Sequence, residues 1–187
     1  MRFVVLFDAC VLYPAPLRDF LMRLAHVGLF AAKWTEDIHK EWISAVLENR
    51  PELADQLKIT RAKMDQAIPD CLVKEYGTLI DGLKLPDPND RHVLAAAIRC
   101  NAQIIVTFNL KDFPEETLNS YGIEAVHPDV FLEHQMSLYP GAFLAVAKAH
   151  RASLKRPPKS AEEYITTLSA QRLVVTADKL REFIESI

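Results

Sequence analysis

Short apolar runs alternate with helix-like segments over the first two-thirds of this 187-residue chain. Phe3–Phe7 is a continuous apolar run, which favours a strand that is buried on both faces, and Ile104–Phe108 (IIVTF) is a second strand-like segment that contains one polar residue, Thr107. The helices that follow begin at prolines, a residue suited to the first turn: Pro16, Pro88, Pro114 and Pro128. Strands that alternate with helices predict an α/β fold with a central parallel sheet, built from right-handed βαβ units.

After about Met136 the pattern becomes wholly helical and is broken once, at Pro157 and Pro158. We therefore predict one α/β domain over residues 1–136 and a helical C-terminal extension over residues 137–187. No apolar stretch approaches the roughly 20 residues needed to span a bilayer, so we expect a cytoplasmic protein. The three cysteines form no CxxC pair, which argues against a disulfide framework or a zinc knuckle.

Polar residues stand where two of the predicted strands end. Asp8 directly follows the first apolar run, Asn109 follows IIVTF, and Asp112 comes three residues later. In open α/β sheets, ligands bind beyond the carboxyl ends of the strands. Two separate strands therefore deliver polar groups to the same edge of the sheet.

Two further acids fall on the apolar faces of predicted helices. Glu41 lies three residues after Ile38 and four before Ala45, and Asp90 lies three residues before Val93. At helical spacing each shares a face with the residues that should enter the core. Both acids are therefore predicted to point inward.

Each acid also has a purely structural explanation. Asp87, Pro88 and Asp90 resemble a helix start with an N-cap and an acid in the first turn. Asp8 and Asp112 could cap the segments that follow them, and Glu41 could bend out to solvent. The joint pattern favours a cluster, because Asp8, Glu41, Asp90 and Asp112 come from four elements of one domain.

Carboxylates in one cleft need protons or a cation, since two of them about 4 Å apart repel by roughly 4 kcal/mol at an effective dielectric near 20. An all-oxygen set without Cys or His suits Mg²⁺ or Mn²⁺. Such ions can bind a phosphodiester and activate water. His92 lies two positions from Asp90, off the inward stripe, and is predicted to be a surface residue.

The net charge of −3 gives no general affinity for polyanions, but one stretch near the C-terminus is strongly basic. It is either a solvated helix end and linker, or a contact for nucleic acid or an acidic partner. Its cationic residues are Lys148, Arg151, Lys155, Arg156 and Lys159.

Other catalytic classes fit poorly. The chain has no GxGxxG or GxxxxGK[ST] sequence, so the nucleotide-binding folds that carry these motifs are unsupported. It also has no GxSxG sequence, which argues against a serine hydrolase of that type. A dehalogenase-type phosphatase normally carries DxD after its first strand, and here Cys10 stands at the second position.

Five segments in order resemble the PIN-domain ribonucleases. They are FDACVLYPAPLRD, WTEDIHKEW, DPNDRHVLAAAI, VTFNLKDF and HPDVFL, and they cover roughly residues 1–135. The resemblance implies a three-layer α/β/α domain and an Mg²⁺- or Mn²⁺-dependent endoribonuclease. Its metal-binding acids would be Asp8, Glu41, Asp90 and Asp112, supported by Thr107 and Asn109, with Asp87 as an additional acid.

Many small bacterial members of this family are VapC-like toxins of type II toxin–antitoxin pairs. The resemblance therefore implies an RNA substrate, a small antitoxin partner and the option of a homodimer. The helical extension is similar to that of a longer subset. Whether Asn109 or Asp112 lies nearer the metal stays open, as do two alternatives: a non-catalytic RNA- or protein-binding module, and a housekeeping RNA-processing nuclease.

Overall fold

The computed structural model of the protein describes residues 3–155 and 157–187. Its strands are β1 (Val4–Phe7), β2 (Ala31–Lys33), β3 (Ile104–Val106) and β4 (Glu124–Val126). Its α-helices are α1 (Ala9–Leu12), α2 (Ala15–His26), α3 (Glu36–Asn49), α4 (Ala54–Ala67), α5 (Gly77–Ile80), α6 (Arg91–Arg99), α7 (Glu115–Leu118), α8 (Pro128–Leu138), α9 (Pro140–Ser153), α10 (Ala161–Ala170) and α11 (Val174–Arg181). Short 3₁₀ turns cover Pro51–Leu53, Pro88–Asp90, Leu110–Asp112, Asn119–Tyr121 and Ile184–Ser186.

The chain divides into two compact units. Unit 1 comprises the chain through Tyr13 together with Phe30–His127, and unit 2 comprises Pro14–Leu29 together with Pro128–Ile187. Helix α2 thus belongs to unit 2, although it lies between β1 and β2 in the sequence. The domain boundary placed at residue 136 from the helical pattern stays a prediction.

Unit 1 contains a four-stranded sheet in the order β2-β1-β3-β4, and all neighbouring strands are parallel. Strand β1 lies in the interior of the sheet, and Val5, Leu6 and Phe7 are fully buried. The apolar run Val93–Ala97 of α6 is also buried, which its helical spacing predicts. The α/β class with a parallel sheet and C-terminal helices is confirmed.

A hydrogen-bonded network fastens α3 and α4 to the end of β2. Trp34 Nε1 and His39 Nε2 each lie 2.9 Å from Asp65 Oδ1, and Trp42 Nε1 donates to His39 Nδ1 at 3.0 Å. Because an indole N–H can only donate, Nδ1 of His39 is the acceptor and Nε2 carries the proton. Since α3 also carries Glu41, this network sets where that acid stands.

The segment after α4 forms a single bridge rather than a strand. A short strand over Cys71–Tyr76 is a possibility in the sequence, and the structure contains one parallel bridge there, between Trp34 and Leu72. Trp34 N donates to Cys71 O at 3.0 Å, and Val73 N donates to Trp34 O at 2.9 Å. The Cys71–Val73 backbone thereby pairs with Trp34, directly after the end of β2.

Unit 2 consists of helices. Phe20 of α2 packs edge-on against Phe143 of α9 and stacks on His150, and Tyr164 of α10 contacts the same imidazole. Gly28 follows α2 at φ 86°, a positive φ that glycine adopts readily and that commonly ends a helix. Within the described residues, no helix is both long and apolar enough to cross a membrane.

Candidate metal centre

Asp8 is buried, with 4% of its surface exposed, at the carboxyl end of β1. Its main-chain N–H donates to Val106 O at 3.1 Å, so the pairing of β1 with β3 continues to this residue. Its Oδ1 accepts from Ala9 N at 2.6 Å, and it is the N-cap of α1. The capping explanation is therefore correct, and it leaves the carboxylate at the sheet edge where a ligand would bind.

Thr107 holds the other oxygen of that carboxylate. The fully buried Thr107 hydroxyl donates to Asp8 Oδ2 at 2.7 Å and accepts from Asn109 N at 3.0 Å. One hydroxyl thus connects the ends of β1 and β3. Asn109 itself is exposed.

Cys10 also belongs to this group. Its thiol donates to Asp8 Oδ2 at 3.1 Å, and its sulfur accepts from Phe108 N at 3.3 Å. Burial, and next the charge of Asp8, raise the pKa of Cys10 to about 12, so the thiol stays protonated and acts as a donor. Cysteine count and spacing alone did not reveal this role; the only sequence signal is its position two residues after a strand-terminal acid.

Asp87 precedes the 3₁₀ turn before α6, and Asp90 is the last residue of that turn. Asp87 Oδ1 accepts from Asn89 N at 2.8 Å, so Asp87 is the predicted cap, and Asp90 is half-buried. Burial raises the pKa of Asp90 to about 7, and the charges of nearby carboxylates add to the effect. In decreasing order, these are Asp8, Asp87, Asp112 and Glu41.

Glu41 and His92 form an ion pair that the sequence does not predict. Nε2 of His92 lies 2.7 Å from Oε1 of Glu41. The side chain of His92 is 13% exposed and that of Glu41 is 45% exposed. The surface placement predicted for His92 was wrong, because its imidazole pairs with Glu41 of α3, a partner that the pattern of α6 alone does not report. Burial lowers the pKa of His92, but the bond to Glu41 and the charges of Glu41, Asp37 and Asp8 outweigh it and give a net rise. Glu41 is less buried than its helical position predicts.

Asp112 closes the 3₁₀ turn that follows Asn109, and its main-chain N–H donates to Asn109 O at 3.0 Å. It is half-buried, and it is one of the charges that raise the pKa of Asp90. The charges of the three other predicted acids therefore all act on Asp90.

The donor chemistry suits a hard divalent ion. The interacting groups are carboxylates, and a cation between them would relieve the repulsion that raises the pKa of Asp90. Within residues 3–155 and 157–187, no three His, Cys, Asp or Glu side chains close into a ready-made metal-binding group. Mg²⁺ fits such an open arrangement, because it usually keeps several waters and takes only one or two carboxylates.

The basic stretch lies in unit 2. Lys148 and Lys155 are exposed, whereas Arg151 donates through Nη1 to Lys159 O at 2.9 Å and thereby fastens the turn after α9. Arg156 lies outside the described residues.

Comparison with known proteins shows the family to which the chain belongs. Residues 4–111 match the PIN domain, and the chain belongs to the PIN-domain family. Residues 128–182 match the family described as VapC50 C-terminal domain. A Mycobacterium tuberculosis protein named "Putative ribonuclease VapC50" is 45% identical over 82 residues, which are 44% of this chain and 48% of that protein. The match thus spans about half the length of this relative. No solved structure matches the chain.

Proposed function

We propose that the protein is an Mg²⁺- or Mn²⁺-dependent endoribonuclease with Asp8, Glu41, Asp90 and Asp112 as its metal-binding acids. The observation that carries the proposal is geometric: Thr107 holds the buried Asp8 carboxylate at the carboxyl edge of the sheet. The raised pKa of Asp90 supports it, since burial raises that pKa and the charges of the three other proposed ligands and of Asp87 add to the effect. Perturbed carboxylates at the carboxyl edge of a parallel sheet are typical of a functional site. The PIN-domain membership and the ribonuclease name of the relative support the same chemistry.

In this proposal Asp8 and Asp90 would hold the principal ion, which would neutralise charge at the phosphodiester and lower the pKa of a water. Thr107 keeps Asp8 in one orientation, so binding needs little rearrangement there. Glu41 ligates the ion or orients the attacking water and takes its proton. Asp112 completes the acidic ring directly or through water, with Asn109 and Asp87 as neighbouring polar groups. As the water oxygen bonds to phosphorus, the bond to the leaving oxygen breaks, and that oxygen takes a proton from solvent.

Cleavage of a circular RNA by the purified full chain tests the endonuclease directly, because a circle has no ends for an exonuclease. We expect cleavage with Mg²⁺ or Mn²⁺ and none after chelation. Asp8→Asn should lower the rate by about 10²-fold or more, the scale for losing one preorganised charge-stabilising group. Asp55→Asn is the matched control, since Asp55 is 93% exposed on α4. Full activity of Asp8→Asn would disprove the site assignment, and RNA binding without cleavage in any metal would favour a non-catalytic module.

We further propose that the protein acts as the toxin of a two-component system and is held inactive by a small antitoxin. The VapC-like relative and the C-terminal match support this role. Induced expression should arrest growth of a bacterial host, and Asp8→Asn should not. The product of an adjacent short reading frame should restore growth when it is co-expressed. Growth unaffected by the wild type would favour a housekeeping nuclease, and light scattering would test the proposed homodimer.

A further inference from the structure

The ion pair between α3 and α6 joins an acid of the proposed metal centre to a residue with no assigned role. His92 stands two residues after Asp90, and its Nε2 lies 2.7 Å from Glu41 Oε1. Among the described residues, no group hydrogen-bonds the buried Nδ1 of His92. The bond to Glu41 is therefore the polar contact that orients this imidazole.

Glu41 needs such a partner more than the other acids do. Asp8 is fixed by three donors, from Ala9, Cys10 and Thr107, whereas the Glu41 side chain is 45% exposed and longer. An exposed glutamate retains rotamer freedom, and fixing it costs up to about 2 kcal/mol. His92, a half-buried donor on α6, fixes the Glu41 side chain before a metal or substrate binds, so this entropy is already lost in the free protein.

We propose that His92 is a positioning residue for Glu41: its Nε2–H holds the Glu41 carboxylate over the acidic site, ready to join the bound metal. The inference rests on the proposed function. It predicts that the donor at the Nε2 position matters, and that the ring and its Nδ1 do not. Hydrogen-bonded partners of ligating carboxylates typically change metal affinity or activity by 10–100-fold when they are removed.

Two isosteric substitutions separate the ring nitrogens. The side-chain amide in His92→Gln reaches about as far as Nε2, and the amide in His92→Asn reaches only about as far as Nδ1. We expect His92→Asn to weaken Mn²⁺ binding to the full chain by about 10-fold, measured by electron paramagnetic resonance without RNA. His92→Gln should stay within about 3-fold of the wild type. For RNA cleavage, kcat should fall for His92→Asn with KM nearly unchanged.

A double-mutant cycle excludes a purely structural role. In a Glu41→Gln background His92→Asn should have little further effect on Mn²⁺ binding, because the group that it positions is gone. His134→Asn is the control, since that histidine is 59% exposed in unit 2. Equal Mn²⁺ binding by His92→Asn and wild type, equal loss in His92→Asn and His92→Gln, or an undiminished effect in the Glu41→Gln background would each overturn the inference.

The same measurements keep the two proposals apart. Wild-type protein that binds Mn²⁺ but cleaves no RNA would overturn the proposed ribonuclease, and the binding experiment would still decide the role of His92. Wild-type protein that neither binds Mn²⁺ nor cleaves RNA would overturn both. Normal cleavage by His92→Asn with normal Mn²⁺ affinity would overturn the role of His92 alone.

Discussion

The hydroxyl of Thr107 donates to Asp8 Oδ2 at 2.7 Å, which joins the carboxyl ends of β3 and β1. Thr107→Val keeps the shape of the side chain but removes this donor, and it also removes the acceptor for Asn109 N. Buried Asp8 would lose one hydrogen bond that water cannot easily replace. We expect the free energy of unfolding to fall by about 1–3 kcal/mol, measured by urea denaturation.

The matched control is Thr166→Val, which makes the same chemical change at an exposed position of α10. That change should stay within about 0.5 kcal/mol of the wild type. A Thr107→Val variant as stable as the control would show that the hydroxyl does not hold Asp8.

Asp65 is the centre of the network that anchors α3 and α4. Asp65→Ala would leave the indole N–H of Trp34 and the Nε2–H of His39 without their acceptor, and both side chains are fully buried. The expected loss is about 2 kcal/mol or more of unfolding free energy. Asp55→Ala on the same helix should change it little, because Asp55 is solvent-exposed. A loss of equal size in both variants would point to the helix itself rather than to the network.

Local signals predicted some helix ends, and contacts between elements determined other features. Gly28 ends α2, and Thr35 caps α3 by accepting from Ile38 N at 3.0 Å, as their residue types indicate. His92 was misplaced because its exposure depends on α3, which no pattern within α6 reports. The roles of Cys10 and Thr107 likewise depend on a strand pairing between residues almost 100 positions apart.

His150 makes the stability of unit 2 depend on pH. Burial lowers the pKa of His150 to about 4; the charge of Asp19 opposes the shift and that of Arg23 adds to it. Nδ1 of His150 lies 2.9 Å from the Tyr164 hydroxyl, and burial raises the pKa of that tyrosine, so it stays protonated. The unfolded chain, with a histidine pKa near 6.5, binds the proton first on acidification. Stability present above about pH 6.5 is therefore lost as the pH falls toward 4.

His150→Asn should reduce the change in the free energy of unfolding with pH, because the asparagine amide can keep the contact with Tyr164 without titrating. The slope should shrink rather than vanish, since burial also lowers the pKa of His39 despite the opposing charge of Asp65. The difference should be on the order of 1–3 kcal/mol near pH 4, measured by urea denaturation from pH 7 to pH 4. An exposed-site control, His134→Asn, should keep the wild-type slope; an unchanged slope in His150→Asn would contradict the prediction.

Asp129 supplies the cap of α11 from the start of α8. Its carboxylate accepts from Val175 N at 2.9 Å, Thr176 N at 2.8 Å and the Thr176 hydroxyl at 2.7 Å. Asp129→Ala should lower the free energy of unfolding by about 2 kcal/mol, because it leaves main-chain donors unpaired at a helix N-terminus. Asp178→Ala, at an exposed position of α11, should cost far less. Equal losses in thermal denaturation would contradict the capping role.

The surroundings of Asp90 should lower the stability of the metal-free protein while favouring metal binding. Burial and the surrounding acids disfavour its charged form, so the metal-free protein carries repulsion at neutral pH. Asp90→Asn removes one charge and should raise the free energy of unfolding without metal by on the order of 1 kcal/mol, with solvent screening limiting the gain.

The wild type should be stabilised progressively by Mn²⁺, as expected for an ion that binds only the folded state, and Asp90→Asn should not. Thermal denaturation across a Mn²⁺ titration measures both effects, with the exposed Asp81→Asn as control. An Asp90→Asn variant that is less stable without metal, or equally stabilised by Mn²⁺, would show that Asp90 is not where the acidic fields converge on an ion.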